Sequence, residues 1–515
     1  MSNFNMKKLI LYIPLIAFLI CLSSCENGFD QLNTNPTAAT ALNPLFTLNT
    51  ATVNTSFPGA TLVFEEAIVQ QIFTPNSGIN SGGNFNIDNR GPTGNNGAIW
   101  RQYYQNVARY LVDVINQTKS DANRTNLYNM TRIWKAYVFS VLTDEYGDIP
   151  YSQAGLGYIA TNVLPKYDTQ ESIYNDLFKE LTEATAALDA TKTIESGDVV
   201  YGGDITKWKR FGYSLMLRLG MRLTKVNPTL AQSTVQKAVA GGLMQSNADN
   251  AVIRNNANYT NGVGSTLNST EAANYYLTKN LVDYLKSTSD PRLGSIAVRY
   301  VGAKSGPEQT SSRASRDPAV QIGMPLGYDN GTIIARATAD GLASLYDYSQ
   351  LDRTRLGSQF APCYLVTYAQ TQLLLAEAAQ RTWTTGNAAD YYNTGVTAHM
   401  KQLGDYDASS LVSDANVAAY LTKNPYVAAQ GLQLINTQYW IASLLNGPEA
   451  FANFRRSGYP TLTPNPYPGK EITGGFINRL SYPDSEQSVN NANRQEAITR
   501  QGPDNLDTRV WWDKQ

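Results

Sequence analysis

Three kinds of side chain in this 515-residue chain could do chemistry: clustered carboxylates, a histidine and cysteines. Asp144, Glu145 and Asp148 gather around Tyr146-Gly147. A carboxylate pair can hydrolyse a glycosidic bond, but the separation that matters is set in space and not by sequence spacing. The plainer reading of this acidic run is the solvated end of a helix that enters a glycine turn. The single histidine, His399, cannot furnish a multi-histidine metal site, and no HExxH, GxSxG, GxGxxG or GxxxxGK[ST] pattern accompanies it. It falls within a helical pattern, where a structural role is the expectation. No catalytic set, no cofactor and no metal are therefore expected, although loop Asp and Asn oxygens leave calcium open without an EF-hand pattern.

What remains is recognition. Aromatic faces stack on the C–H-rich surfaces of sugar rings, and amides and Arg hydrogen-bond the hydroxyls. The stretches 76–97 and 254–269 are rich in Asn, Gly and Ser and carry no apolar period, so they read as loops. Long loops in a compact protein are functional or disordered. They supply the candidate ligand contacts Phe85, Arg90, Asn95, Tyr259 and Asn261, with Tyr300 further on. The competing explanation is that Asn and Gly serve turn geometry. The polar stretch 300–317 and the Pro/Gly-dense stretch 459–475 are loops on the same grounds.

Cys25 has a different context. Lys7 and Lys8 precede an apolar run from Leu9 to Leu22, and Leu22-Ser23-Ser24 leads into the cysteine. That layout is an export signal; with Pro14 inside it and a length below the ~20 residues of a spanning helix, it is not a membrane span. Leu-Ser-Ser-Cys is similar to a bacterial lipobox, which makes Cys25 a lipid anchor, residues 1–24 a signal peptide and residues 25–40 a polar tether. Two acyl chains suffice for stable attachment. Cys21 lies in the signal, so Cys363 stands alone and no disulfide framework forms. With 41 Lys and Arg against 42 Asp and Glu, the chain lacks the basic balance that nucleic acid demands.

The elements that must position these loops are helices. Ile133, Trp134, Tyr137, Val138, Val141 and Leu142 share one helical stripe, as do Ile173, Leu177, Leu181, Ala184 and Leu188. Asp168 and Glu171 stand at capping-box spacing before the second. Trp208, Phe211, Leu215, Leu219 and Leu223 form a third, ending before Pro228. Helical patterns recur in neighbouring pairs: 100–117 with 128–146, 170–189 with 205–225, 364–381 with 387–403, and 431–446 with 448–456. Paired helices build tetratricopeptide-type scaffolds, although no 34-residue period is visible. The expected fold is mostly α, with residues 41–515 forming one helical domain interrupted by long irregular loops.

Several blocks then resemble one family, the SusD/RagB-like outer-membrane lipoproteins of Bacteroidetes, in particular the starch-binding subgroup that associates with the outer membrane. CENGFDQLNTNP from Cys25 to Pro36 is similar to its post-anchor tether. EYGDIPYSQA from Glu145 and LLAEAA from Leu374 follow in order. GPEAF from Gly447, NFRRSGYP from Asn453, NRLSYP from Asn478 and VWWD from Val510 resemble its C-terminal blocks. Phe451 and Phe454 depart from the family, standing where Trp is usual, and the ligand loops carry no family motif. The resemblance implies tetratricopeptide-like helix pairs, cell-surface localisation through a lipid anchor, glycan capture without cleavage, and delivery to a SusC-like TonB-dependent transporter. It also implies that Arg455 and Arg456 hold the scaffold together. Peptide cargo, as in the RagB branch, and a two-carboxylate glycosidase are the alternatives.

Overall fold

The computed structural model describes residues 42–76, 82–92, 94–269 and 275–514. Cys25, the signal and the tether lie outside the described residues. The expected helices form, and several begin where the sequence supplies a capping side chain. The principal ones are α1 (Pro44–Val53), α2 (Arg109–Thr118), α3 (Thr125–Tyr146), α4 (Gln170–Ala187), α5 (Ile205–Arg222), α6 (Pro228–Gly241) and α7 (Lys279–Ser287). After a long insertion come α8 (Tyr368–Gln380), α9 (Ala388–Tyr406), α10 (Gly431–Ala442), α11 (Gly447–Ser457) and α12 (Asn491–Gln501).

Asp204 and Asn227 accept hydrogen bonds from the first turns of α5 and α6, satisfying orphan N–H groups there. The capping box expected at Asp168 and Glu171 does not form, and the N-cap falls one residue later. Thr169 caps α4 through Ser172 N–H at 3.2 Å, while the Asp168 carboxylate accepts the Ser152 N–H at 2.7 Å. A nearby backbone turn competed for Asp168 and took it.

Neighbours pack in sequence order, α2 on α3, α3 on α4, α4 on α5 and α5 on α6, as a paired-helix scaffold requires. The series resumes with α8 on α9 and α10, and α10 on α11. Since α5 also packs on α8, the chain from 242 to 367 loops out between helices that touch. Pro44 to Gln515 is one compact unit. Its core is apolar and aromatic, and each large indole inside finds an acceptor: Trp134 donates to Thr55 Oγ1 at 3.0 Å, Trp208 to Asp198 at 2.8 Å and Trp440 to the Val69 carbonyl at 2.9 Å.

The C-terminal blocks make a buried polar seam. Arg456 grips Glu377 through both guanidinium nitrogens, at 2.8 and 2.7 Å. Arg455 donates to the carbonyls of Asp144 and Asn478 and lies 3.7 Å from the Phe451 ring centroid. The acidic run is corrected here: Asp144, Glu145 and Asp148 are buried, with Glu145 at 0% exposure, and do not form a solvated helix end. Asp144 accepts from Arg222 at 3.1 Å, which supplies the opposing charge, and from the Trp512 indole at 2.8 Å, so that a carboxylate otherwise costly to bury is paired and hydrogen-bonded.

The insertion is tied at its neck. Ala251–Ile253 pairs antiparallel with Cys363–Val366, Ile253 opposite Cys363. The chain segments on either side of that pair must therefore leave side by side. Other strands are short, with Ile72–Phe73 on Tyr276–Leu277 and Ala297–Tyr300 between Ala314–Ser315 and Gln350–Leu351. His399 sits in the core of α9, its Nδ1 3.1 Å from the Arg292 guanidinium. Burial and that cation hold its pKa well below the usual value, so Nδ1 is a neutral acceptor.

Candidate functional site

Beyond the neck, segments 254–261 and 357–361 run together, and asparagines hold them. The Asn255 amide donates to the Ala361 carbonyl at 2.7 Å and the Asn261 amide to the same oxygen at 3.0 Å. The Asn261 N–H reaches the Gln359 carbonyl at 2.8 Å, and the Asn268 amide reaches Gly357 at 2.7 Å. Asn261 also caps the short helix Gly262–Leu267 through Gly264 N–H. Gly264 must lack a side chain, because a Cβ there would stand 2.1 Å from the Ser358 carbonyl oxygen.

Each fastened loop pushes one ring into solvent. Asn256 closes a tight turn, its side chain accepting from Asn258 N–H at 2.8 Å and Tyr259 N–H at 3.2 Å. Tyr259 at the tip is 55% exposed. On the other loop, Ser358 accepts from the Phe360 N–H at 3.2 Å, and Phe360 is also 55% exposed. Exposed rings whose backbone is fixed by hydrogen bonds offer contact area at low entropic cost. Beside them Arg254 pairs with Asp405 at 3.1 Å, and Asp405 also receives the Tyr364 hydroxyl. Partial burial would raise the Asp405 pKa, but the bonds from Tyr364 and Arg254 outweigh it and hold the carboxyl below its usual range. The arrangement offers two apolar faces, exposed amides and one fixed charge pair, suited to holding a ligand with both C–H faces and hydroxyls.

Of the residues singled out in the sequence, Tyr259 alone has this character. Asn261 is buried as cap and clamp, so it shapes the loops and presents no amide to solvent. Phe85, at 1% exposure, packs 4.6 Å from Tyr467 and 6.0 Å from Phe73, and neither of its faces is free to stack on a ligand. Tyr300, at 6%, lies under the Arg353 guanidinium, 5.4 Å from its ring centroid. Arg90 is held by Asp88 and by Asp504 at 3.2 Å. Asn95 opens the turn Asn95–Gly97, and no described contact joins it to Tyr259 or Phe360. Phe360, Arg254 and Asp405 escaped the sequence reading. The turn chemistry of Gly357, Ser358 and Pro362 around Phe360 is the signal that could have found the first.

The carboxylates that could have been catalytic lie elsewhere and are enclosed. Glu65, Glu66 and Glu145 are buried together against α11. Burial pushes Glu65 up to about 7 against the opposing hydrogen bond to Glu145, and it raises Glu145 and Glu66 well above the carboxylate range. Among the described residues, no three His, Cys, Asp or Glu side chains are placed to hold a metal ion. A cavity of about 450 Å³ lies beside Trp511, where Arg500 pairs with Asp148 and Arg509 with Asp513, and Glu171 and Lys514 complete its charged lining.

Residues 31–483 match the family model described as starch-binding, associating with the outer membrane. A chitin-binding protein of known structure is similar, with 32% identity and a TM-score of 0.81 over 92% of this chain and 100% of its own. A SusD-like protein from Bacteroidetes matches at 27% identity and TM-score 0.80, covering 92% and 100%. A chitin-binding SusD homologue from Flavobacterium johnsoniae matches at 27% and 0.73, covering 92% and 98%. No curated protein sequence matches.

Proposed function

The chain belongs to the SusD-like family of starch-binding proteins that associate with the outer membrane, and on that premise we propose that it is a cell-surface lipoprotein that captures a glycan on Tyr259 and Phe360. The observation that carries the reading is the pair of half-exposed rings on loops fastened to one another by Asn255 and Asn261. Such rings lose little conformational freedom when a sugar stacks on them. The chitin-binding character of two structural relatives supports an oligosaccharide built of pyranose rings.

The proposal includes anchoring through Cys25 and transfer to a SusC-like TonB-dependent transporter. A protein partner is supported by exposed apolar side chains on one surface: Tyr158, Val163 and Leu164, tied through Asn490 and Asn493 to the segment that carries Val489. Calorimetric titration with a panel of chitin-, starch- and other plant- or fungal-derived oligosaccharides, beside mixed peptides, tests the cargo. Heat with a sugar and none with peptides is the expected result; the reverse outcome replaces glycan by peptide. Reducing-sugar release by the purified protein would contradict simple capture. Cys25→Ala is expected to leave folding intact and release the protein from membranes.

A further inference from the structure

A second cavity, of about 330 Å³, opens between α9 and the turn that precedes the neck strands. Asn247, Tyr368, Asn393, Thr394, Thr397 and Lys401 line it. Its lining suits a polyhydroxylated ring: one aromatic side, the three hydroxyls of Ser246, Thr394 and Thr397, two amides and the Lys401 ammonium. Lys401 is committed to Asp414 at 2.6 Å and to the Val412 carbonyl at 2.8 Å, but the two threonines and the Asn247 oxygen are unspent among the described residues. Elsewhere, helical threonines such as Thr118, Thr131, Thr371 and Thr422 bond back to the carbonyl four residues earlier. Thr394 and Thr397 make no such bond to any described residue. Asn247 donates to the Ala398 carbonyl at 2.9 Å, while its Oδ1 is buried and has no partner among the described residues. A buried acceptor of this kind is costly unless something donates to it.

The cavity shares a helix face with the aromatic loops. Thr394, Thr397, Lys401 and Asp405 follow at i, i+3, i+7 and i+11, one stripe of α9. At a 1.5 Å rise per residue that stripe runs about 16 Å from Thr394 to Asp405. Asp405 is the residue paired with Arg254 at the root of the Tyr259 loop. Both ends are fixed by the same neck: Asn247 precedes one strand, Tyr368 follows the other, and the Asn250 carboxamide oxygen accepts the Tyr368 N–H at 2.7 Å.

We propose that the cavity under Tyr368 is a second sugar subsite, and that a glycan chain of several residues lies along the outer stripe of α9 from there to Tyr259 and Phe360. This rests on the glycan reading above and adds chain length as a determinant: a single ring fills one end, a chain fills both. The test is calorimetric titration of the full mature protein with chitobiose and chitohexaose, and with maltose and maltohexaose. Wild type is expected to bind the six-residue oligomer of the accepted series at least ten-fold more tightly than the two-residue one. Thr397→Trp, which fills the cavity, and Tyr368→Ala, which removes its aromatic side without adding bulk, are each expected to erase most of that advantage. Circular dichroism and the thermal midpoint check that both variants fold. Equal affinity of wild type for short and long oligomers, or an undiminished advantage in both folded variants, overturns the second subsite and leaves the Tyr259 and Phe360 site standing. Absence of binding by wild type in both series removes the two together.

Discussion

The C-terminal seam and the neck loops both hold their backbones with polar side chains, but they expose opposite things. In the seam, Arg455 and Arg456 are sealed against Asp144, Glu377 and aromatic rings, and nothing is offered to solvent. At the neck, Asn255, Asn261 and Asn268 spend neutral amides on loop carbonyls and leave Tyr259 and Phe360 outside. Buried ion pairs resist removal of one partner, because the other is left as an uncompensated charge. Neutral amide clamps are cheaper to lose, and what they position is binding area. Mutations in the seam should therefore change folding, and mutations at the neck should change recognition.

The largest effect is expected in the seam. Arg456→Ala removes the bidentate partner of the buried Glu377, leaving Arg381 at 2.9 Å as its remaining cation, and should cost about 3 kcal/mol in chemical denaturation. Glu377 is held down to about 2, burial opposing and the Arg456 charge and hydrogen bonds winning, so this stabilisation is present above pH 4.5 and fades as pH falls toward 2. Stability of Arg456→Ala equal to wild type would remove the distinction between the regions.

Next comes the buried carboxylate group of Glu65, Glu66 and Glu145. Glu65 has a folded pKa of about 7 against an ordinary 4.5, so the folded state holds its proton more tightly than the unfolded chain. The sign follows: the contribution of Glu65 to stability is fully present below pH 4.5 and is lost as pH rises through about 7, opposite to that of Glu377. Glu145 and Glu66 shift in the same direction, while Arg455, itself lowered to about 10 by burial, faces the pair as the opposing charge. Glu65→Gln should flatten this decline and raise stability at pH 8 by on the order of 2 kcal/mol, read from denaturation midpoints across pH. An unchanged pH profile would mean that the carboxylates are not burdened as their burial implies.

The smallest stability change is expected at the neck. Asn261→Ala removes a helix cap and a loop clamp and should cost about 1 kcal/mol, while weakening glycan binding by loosening the segment under Tyr259. A variant that loses stability but binds as before would separate the clamp from recognition.

Much of the scaffold was legible because helical burial repeats every three to four residues, and the stripe from Ile133 to Leu142 is nearly all core. Of the candidate contacts read from the sequence, Tyr259 alone is an exposed ring beside the loop of Phe360. Phe85 and Phe360 both stand in stretches rich in turn formers, and local sequence cannot distinguish them. What decides is a distant neighbour: Tyr467 covers the first, and nothing described covers the second. Asn261 shows the same limit from the polar side, since a carboxamide suited to a sugar hydroxyl suits a backbone carbonyl equally well. The acidic run misled for a related reason, because Arg222, which pairs with Asp144, and Trp512, which donates to it, arrive from far along the chain.

The central claim is that two clamped rings at the neck hold the glycan. Titrating the Tyr259→Ala/Phe360→Ala double variant beside wild type, against chito- and malto-oligosaccharides, addresses it directly. Stacking on two rings contributes about 1–3 kcal/mol, so the double variant should bind roughly ten- to a hundred-fold more weakly with its thermal midpoint nearly unchanged. Wild-type affinity in a folded double variant would contradict the account.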